Sequence, residues 1–423
     1  MSPSIISRTA LIDWSIDLSC TAANIDAAPA GTAASFSTAR KKLCVALIVL
    51  LAFSLGCTEF APIGIEPELA DAFGVSLAQI GQLISVFALT YAVATPTLAL
   101  ATGRFRRFTM LVIYAGVFIL GNVVAATATG MPALYVSRVT CGLVSGAFLA
   151  VGVTFLPELV DPRKTSFAVA VVYAAFSVAM VLATSAGKML ADALDWRAMM
   201  VACLILAVVT CALLIALLSR EGATDEPARV RDQFPLLCEP SVLACVTIFV
   251  FGVGSTYVFY GYVTPYLEEY LGLTAAQTSL VLLVFGVILF FSNMLSGVLD
   301  EKFGLKSDVG LFLTQAAVLA ALWAVGTAMP AALIVIFTFG LLMYAVSVPC
   351  ITLFMRMANE RHPKALTLAS SLEPTAFNIG IAFGTAVGGA AVTGLGLGSL
   401  GLVGAALALV ALGCAVAAVR LEP

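Results

Sequence analysis

Charged residues are scarce in this sequence. Only 11% of its 423 residues are Asp, Glu, Lys or Arg, whereas a water-soluble chain carries about 25%. The single histidine and the net charge of −3 leave no strongly basic surface for nucleic acid. These shortages exclude a soluble globular enzyme, a disordered chain and a nucleic-acid-binding protein. Hydrophobic residues make up 61% of the chain, which indicates an integral membrane protein.

Motifs for catalysis or metal binding are missing as well. The 10 cysteines show no CxxC spacing, and most lie in apolar runs, where they act as small packing residues. His362 stands alone in a polar segment, so we expect no metal, no cofactor and no catalytic residues. A phosphate-binding GxxxxGK[ST] loop is absent too, which argues against ATP as an energy source.

Long apolar runs, in contrast, are frequent. A helix needs roughly 20 apolar residues to cross a bilayer core about 30 Å thick. The runs lack the alternation typical of β-strands, so they predict an all-α membrane protein. Twelve runs are long enough, at 43–64, 78–101, 109–128, 133–156, 166–190, 198–219, 242–265, 277–299, 309–328, 331–354, 366–389 and 398–419.

Lysine and arginine concentrate in alternate segments between these runs. With the N-terminus inside the cell, every Lys and Arg except Arg138, Lys188 and Arg197 falls on the cytoplasmic side, as the positive-inside rule requires. This distribution predicts that both termini are cytoplasmic.

The same topology divides the chain into four parts. Residues 1–41 lack the basic start and apolar core of a signal peptide and are interpreted as a cytoplasmic tail. Residues 220–240 are polar and are interpreted as a cytoplasmic linker. The linker joins an N-terminal six-helix half, 42–219, to a C-terminal half, 241–423.

An internal repeat supports this division. At an offset of 198 residues (from 74 to 272), Gly-Val-Ser at 74–76 matches Gly-Leu-Thr at 272–274, and Met-Pro-Ala at 131–133 matches Met-Pro-Ala at 329–331. Arg104-Phe105 and Lys302-Phe303 keep the same offset. Two parallel repeats of this kind are typical of transporters with a central site.

Several short motifs occur in a characteristic order. They are TEFAPIG at 58–64, RFRR at 104–107, RVTCG at 138–142, YVTPYL at 262–267 and FNIG at 377–380. In order and spacing they resemble the major facilitator superfamily, specifically its twelve-span drug:proton antiporter branch and the arabinose-efflux-permease-like transporters. The resemblance implies two pseudo-symmetric six-helix halves and proton-coupled transport by alternating access.

The sequence departs from this branch at two motifs. Gly103 stands where the first cytoplasmic loop motif has an acidic residue. The span-five antiporter motif lacks its proline and reads ATSAG at 183–187. The missing proline weakens the inference of antiport but not the inference of transport.

Glu59 and Glu373 are the acids that we expect deep inside spans, where a charge is costly and usually functional. Glu59 lies about 25 Å along its helix from Lys42, and Arg138 about 9 Å beyond Pro132, so the two share a depth. We expect an ion pair in which Glu59 carries the proton and Arg138 tunes its pKa. The alternative is a static pair that holds spans one and four in register.

Glu373 lies about 14 Å beyond Lys364, beside Pro374. It is expected to be a second protonation site or a contact for a cationic substrate; otherwise it is a protonated carboxyl bonded to a neighbouring helix. Five polar or amphipathic side chains in second-half spans are candidates to line the substrate cavity, with interfacial anchoring as the alternative. They are Tyr257, Tyr260, Asn293, Tyr344 and Asn378.

Four basic residues complete the candidates. Lys188 is expected to anchor span five at the outer interface, with a role in the cavity as the alternative. Arg104, Arg106 and Arg107 form a cytoplasmic cluster that either sets the topology or acts as a gate. In a gate, Arg104 would pair with Glu158 or Asp161.

The sequence therefore predicts a monomeric secondary transporter of the cell (inner) membrane. We expect proton-coupled efflux of a small polar or amphipathic solute such as a sugar, nucleoside, metabolite or drug. The partners are the solute, protons and the lipid bilayer. An uptake symporter or facilitator of the same fold, or a non-transporting membrane sensor, are the alternatives.

Overall fold

The chain folds into helices. The computed structural model describes residues 37–102, 105–161, 164–218, 235–362 and 365–422, and these ranges contain no β-strand. The α-helices are α1 (Thr38–Gly64), α2 (Glu66–Phe73), α3 (Leu77–Thr102), α4 (Arg107–Ala126), α5 (Met131–Val153), α6 (Leu156–Leu159), α7 (Thr165–Ala193), α8 (Trp196–Leu217), α9 (Pro240–Tyr260), α10 (Ala275–Phe303), α11 (Lys306–Val325), α12 (Met329–Leu342), α13 (Ser347–Arg361), α14 (Leu366–Leu395) and α15 (Leu400–Leu421).

These helices form twelve segments long and apolar enough to cross a membrane, counted over the described ranges. α5 and α6 together make one segment, and α12 and α13 make another. The helix α2 is too short to span and connects α1 to α3. The predicted all-α architecture is confirmed, with span ends that differ from the predicted limits by a few residues.

The internal repeat appears in the local structure. Ser76 and Gln79 form a capping box before α3, in which Ser76 N donates to Gln79 Oε1 at 3.0 Å and Gln79 N to Ser76 Oγ at 3.3 Å. Thr274 and Gln277 form the same box before α10, at 2.9 and 3.4 Å. Such boxes satisfy amide groups that the first helical turn leaves free. The repeated residues therefore start equivalent helices in the two halves.

The two halves meet mainly along two helix pairs, α3 with α14 and α7 with α10. Hydrogen bonds reinforce these contacts: Ser85 Oγ donates to the Ala382 carbonyl at 3.1 Å. Thr264, just after α9, donates to the Ile63 carbonyl near the end of α1 at 2.6 Å. We call the end of the bundle where α1 finishes and α2 begins the α2 end.

The tenth membrane segment is broken rather than continuous. The sequence predicts one helix over 331–354, but α12 ends at Leu342 and α13 begins at Ser347. Serines of α10 satisfy the backbone groups that the break frees, because Ser292 Oγ accepts from Tyr344 N at 2.8 Å and Ser296 Oγ donates to Ala345 O at 2.7 Å. Non-helical backbone at membrane depth is tolerated only where protein or a water-filled cavity surrounds it.

Candidate functional site

Pro62 interrupts the hydrogen bonding of α1. Because proline has no N–H, the carbonyl oxygen of Thr58 one turn earlier loses its helical donor. Arg138 of α5 supplies a replacement: its Nη1 donates to Thr58 O at 2.6 Å and its Nη2 to Glu59 O at 2.7 Å. The guanidinium also lies 4.3 Å from the centroid of the Phe87 ring. Arg138 therefore joins α5 to the interrupted turn of α1.

The expected ion pair between Glu59 and Arg138 is not what the structure contains. The guanidinium donates to main-chain oxygens instead of the carboxylate. Glu59 is 5% exposed, and its Oε2 is buried without a hydrogen-bond partner among the described residues. Glu59 and Arg138 do lie at the same level of the bundle, as predicted. The acceptor differs from the prediction because Pro62 frees a main-chain carbonyl.

A small, mainly apolar cavity lies beside this junction, inside the first half. Its polar lining comes from Thr58, Asn122, Ser137 and Arg138. Thr58 Oγ1 donates to Asn122 Oδ1 at 3.1 Å, and Asn122 Nδ2 donates to the Phe118 carbonyl at 2.9 Å. Asn122 was not among the predicted site residues, although a buried amide in an apolar span is a recognisable signal.

Aromatic side chains of the second half form a cluster next to the contact between the halves. The Tyr257 ring lies 5.5 Å from Tyr260 and 6.3 Å from Phe377, and Phe377 stacks on Tyr344 at 5.5 Å with an interplanar angle of 4°. Tyr344 sits in the break between α12 and α13, and its Oη contacts Met180 Sδ of α7 at 3.0 Å. Three of the five predicted cavity residues are thus brought together, with Phe377 as an additional member.

Glu373 lies on α14, one helical turn before Phe377 of this aromatic cluster. Its half-buried side chain lies within electrostatic range of Tyr91, Tyr173 and Tyr344. Glu59 lies within the same range of Tyr91 and Tyr344. The two membrane-embedded acids, one from each half, therefore share two tyrosines. We call this group of two acids and surrounding aromatic residues the central site.

The two asparagines are placed differently. Asn293 Nδ2 donates to the Leu289 carbonyl at 3.2 Å, and Asn378 Nδ2 to the Pro374 carbonyl at 3.0 Å. Both bonds lie within the helix that carries the amide. Asn378 Oδ1 is buried without a partner in the described part of the chain, so Asn378 keeps a free acceptor one residue from Phe377. Within the described ranges, Asn293 makes no hydrogen bond to the aromatic cluster.

The described members of the arginine cluster, Arg106 and Arg107, form no ion pair or hydrogen bond with the second half. Arg104 lies outside the described residues, and Arg106 is exposed. Arg107 Nη2 pairs with Glu158 at 2.6 Å, and its Nη1 donates to the Thr154 carbonyl at 2.7 Å. Glu158 therefore pairs with Arg107, within the first half, and the pairing considered for Arg104 lies outside the described residues.

Lys188 lies in an ionic cluster, not at a lipid interface. Its side chain is 3% exposed, and its Nζ contacts carboxylates of Glu68, Asp192 (3.0 Å) and Glu268 (2.9 Å). Glu68 belongs to α2, Asp192 to α7, and Glu268 to the π-helical turn Tyr266–Tyr270 of the second half. The expected interfacial anchor is wrong because acids of α2, α7 and the π-helical turn converge on the ammonium group.

Further acids at this α2 end are buried. Glu66 is fully buried, and neither of its carboxylate oxygens has a partner among the described residues. Burial, together with the nearby Glu68 and Glu269, raises the pKa of Glu66 well above its usual value. Burial also raises the pKa of Glu68, against the opposing effect of Lys188. Sequence reasoning missed these residues because acids in short connections are normally solvated.

The fold and the central site define a class of protein: a membrane transporter with two six-helix halves and a polar site between them. The family model described as Major Facilitator Superfamily matches residues 48–371. The chain belongs to this superfamily, whose members are transporters rather than enzymes.

Relatives and solved structures agree with this assignment. The chain is 30% identical over 383 residues to the uncharacterized MFS-type transporter YtbD of Bacillus subtilis, covering 88% of this chain and 96% of the relative. It is 24% identical over 373 residues to a probable sugar efflux transporter of Mannheimia succiniciproducens, covering 87% and 91%. A bacterial homologue of the human lysosomal transporter Spinster, in an inward-facing and occupied conformation, superposes with a TM-score of 0.75 at 16% identity, covering 92% of this chain and 98% of that one.

Proposed function

We propose that this transporter exports a small polar or amphipathic solute in exchange for protons, by alternating access at the central site. The observation that carries the proposal is the pair of buried or half-buried acids, Glu59 and Glu373, one from each half, that lie near the same two tyrosines. A carboxyl group in such a site gains or loses its proton as the surrounding water and solute change. Proton binding can therefore be linked to solute binding.

Three roles follow for the residues of the central site. Glu59, with one buried oxygen that lacks a partner, is proposed as the principal proton carrier. Arg138 keeps a positive charge near that carboxyl while its own hydrogen bonds go to the α1 main chain. Glu373 is proposed as a second protonation site or a contact for a positively charged part of the solute.

Aromatic faces supply most of the proposed solute surface. Tyr257, Tyr260, Tyr344 and Phe377 offer flat apolar surface with hydroxyl groups at its edge, and Asn378 adds a free acceptor. Aromatic side chains of this kind bind sugar rings, nucleobases and organic cations through stacking and cation–π contacts. Asn293 remains a candidate at the margin of this surface.

Orientation and location are part of the proposal. The distribution of Lys and Arg supports cytoplasmic termini, and with this proposed orientation the α2 end faces the outside of the cell. The cell (inner) membrane is the proposed location, and a monomer the proposed functional unit. Residues 220–240 are proposed as the cytoplasmic linker between the halves; most of this segment lies outside the described residues. The cluster around Arg106 and Arg107 is proposed to set this topology.

Export is favoured over uptake by the efflux activity named for the Mannheimia relative. Everted membrane vesicles with an acidic interior test the direction. We expect candidate solutes to accumulate in the vesicles only while the pH gradient lasts, and to leave when a protonophore is added. A facilitator would equilibrate without regard to the gradient, and an uptake symporter would require the opposite gradient; either result contradicts the proposal.

A further inference from the structure

The Lys188 cluster joins the two halves of the transporter. Lys188 and its partners Glu68 and Asp192 belong to the first half, whereas Glu268 belongs to the second. Glu268 binds the ammonium group through both oxygens, at 2.9 and 3.1 Å. The α2 end can therefore open only if Lys188 gives up Glu268.

This ion pair lies where the halves are already in close contact. Thr264 donates to the Ile63 carbonyl nearby, and the Tyr262 hydroxyl occupies the space that a side chain on Gly81 would need. Lys188 and Glu268 are 3% and 17% exposed at their side chains. An ion pair shielded from water to this degree is stronger than an exposed pair.

Glu66 lies on the same short helix as Glu68 and is close to Glu269 of the second half. Both of its oxygens are buried without a partner among the described residues. An ionised carboxylate in that position lacks compensation, so the closed α2 end requires the neutral acid. The titratable and charged groups that face this region come from α2, α7, the end of α9 and the π-helical turn. They are Glu68, Asp71, Lys188, Asp192, Tyr260, Tyr262, Tyr266, Glu268, Glu269 and Tyr270.

We propose that Glu66, together with the Lys188–Glu268 pair, is a proton-operated gate at the α2 end. In the closed gate, Glu66 is protonated and Lys188 bridges Glu68 and Glu268. When the halves separate at this end, water reaches Glu66, its O–H bond breaks, and the proton passes to water. The carboxylate that remains opposes reclosure until it is protonated again.

The direction of the pH effect follows from this scheme. Burial raises the pKa of Glu66 in the closed state, and exposure to water returns it toward the ordinary value of about 4.3. The closed state is therefore favoured at low pH and loses stability as the pH rises through the raised pKa. Between the ordinary pKa and the raised pKa, closure weakens by up to about tenfold per pH unit, and above the raised pKa it weakens no further.

Hydrogen–deuterium exchange on the purified full-length chain tests the gate. The segments to follow are 63–75 and 261–274, with protection factors corrected for the pH dependence of chemical exchange. In the unmodified chain we expect protection to fall between about pH 6 and about pH 9, where carboxyls with an ordinary pKa do not titrate. Glu66→Gln should keep high protection at both pH values. Asp71→Asn, an exposed acid on the same short helix, should behave like the unmodified chain.

A second pair of variants separates a gate from local packing and does not depend on replacing Lys188. Glu268→Gln removes the partner in the second half, while Asp192→Asn removes a partner on the same helix as Lys188. We expect only Glu268→Gln to lower protection in both segments, by tenfold or more. Equal effects of the two variants, or an unchanged pH dependence in Glu66→Gln, would overturn the gate. The result is independent of proton-driven export, because it concerns opening at one end only.

Discussion

Pro62 explains why an arginine lies inside the first half. A proline within a helix leaves the carbonyl one turn earlier without a donor, and in a membrane no water is available to replace it. Arg138 fills this role with two short bonds to consecutive carbonyls. A planar guanidinium spans two acceptors in a way that a single ammonium group cannot. The buried arginine therefore satisfies the carbonyl that the proline in α1 leaves without a donor.

Arg138→Lys tests that explanation at the scale of one residue. The variant leaves at least one of the two buried carbonyls without its donor, so we expect a loss of roughly 2–4 kcal/mol in stability. Thermal unfolding of the purified protein in one detergent measures the change. Arg106→Lys, at an exposed position, serves as the control. Equal melting temperatures for the two variants would contradict this role of the Arg138 hydrogen bonds.

The serines of α10 show how single residues support a neighbouring element. Ser296 Oγ donates to Ala345 O at 2.7 Å and accepts from Val348 N at 3.0 Å. Both backbone groups belong to the region where α12 gives way to α13. The hydroxyl therefore stabilises a break that holds Tyr344 at the central site.

Ser296→Ala tests this support at the scale of the broken segment. Loss of two buried hydrogen bonds should cost about 1–3 kcal/mol and reduce solute affinity, because Tyr344 loses its fixed position. Thermal unfolding and equilibrium solute binding give the two readouts. Ser177→Ala, which removes only a 3.5 Å bond within α7, should change neither. Unchanged solute binding by the Ser296→Ala protein would show that the position of Tyr344 does not depend on the Ser296 hydrogen bonds.

The helices α9 and α14 pack closely against each other at two glycines, Gly254 and Gly384. A Cβ atom built on Gly384 would lie 2.8 Å from the Gly254 Cα. Small residues allow helix backbones in a membrane to approach to this distance.

Gly384→Ala should accordingly separate these helices and destabilise the protein by about 1–3 kcal/mol. Gly116→Ala, on a helix face with no atom within 4 Å of the new Cβ, should be neutral or stabilising by up to about 1 kcal/mol. Chemical denaturation monitored by circular dichroism compares the two. The same sign for both changes would contradict close packing at Gly384.

Across the whole molecule, the sequence predicts those features that depend on residues close together in the chain, and it fails for those that depend on contacts between distant segments. The twelve spans and the repeated residues at 74–76 and 272–274 are recognisable because they depend on runs and motifs that lie within about 25 residues. The break near Tyr344 and the Lys188 cluster do not, because serines of another helix and acids from three separate elements create them. Depth along a helix placed Glu59 and Arg138 side by side, but only coordinates distinguish a carboxylate from a carbonyl as the acceptor.

In the proposed transport cycle, the two halves separate at one end of the bundle at a time. Contacts at the α2 end, including Thr264 with Ile63 and Lys188 with Glu268, hold that end closed. The central site lies between the halves, where Glu59 and Glu373 lie near common tyrosines. In the proposed cycle, a proton is exchanged for a solute at this site and the two ends open alternately.

Proton-driven transport by the Glu59→Gln protein tests this account most directly. In liposomes with an imposed pH gradient, we predict that the variant loses uphill accumulation of solute but still moves solute down its own gradient. Glu301→Gln, an exposed acid of α10, should retain both activities. Undiminished, pH-dependent accumulation by Glu59→Gln would contradict the assignment of Glu59 as the proton carrier.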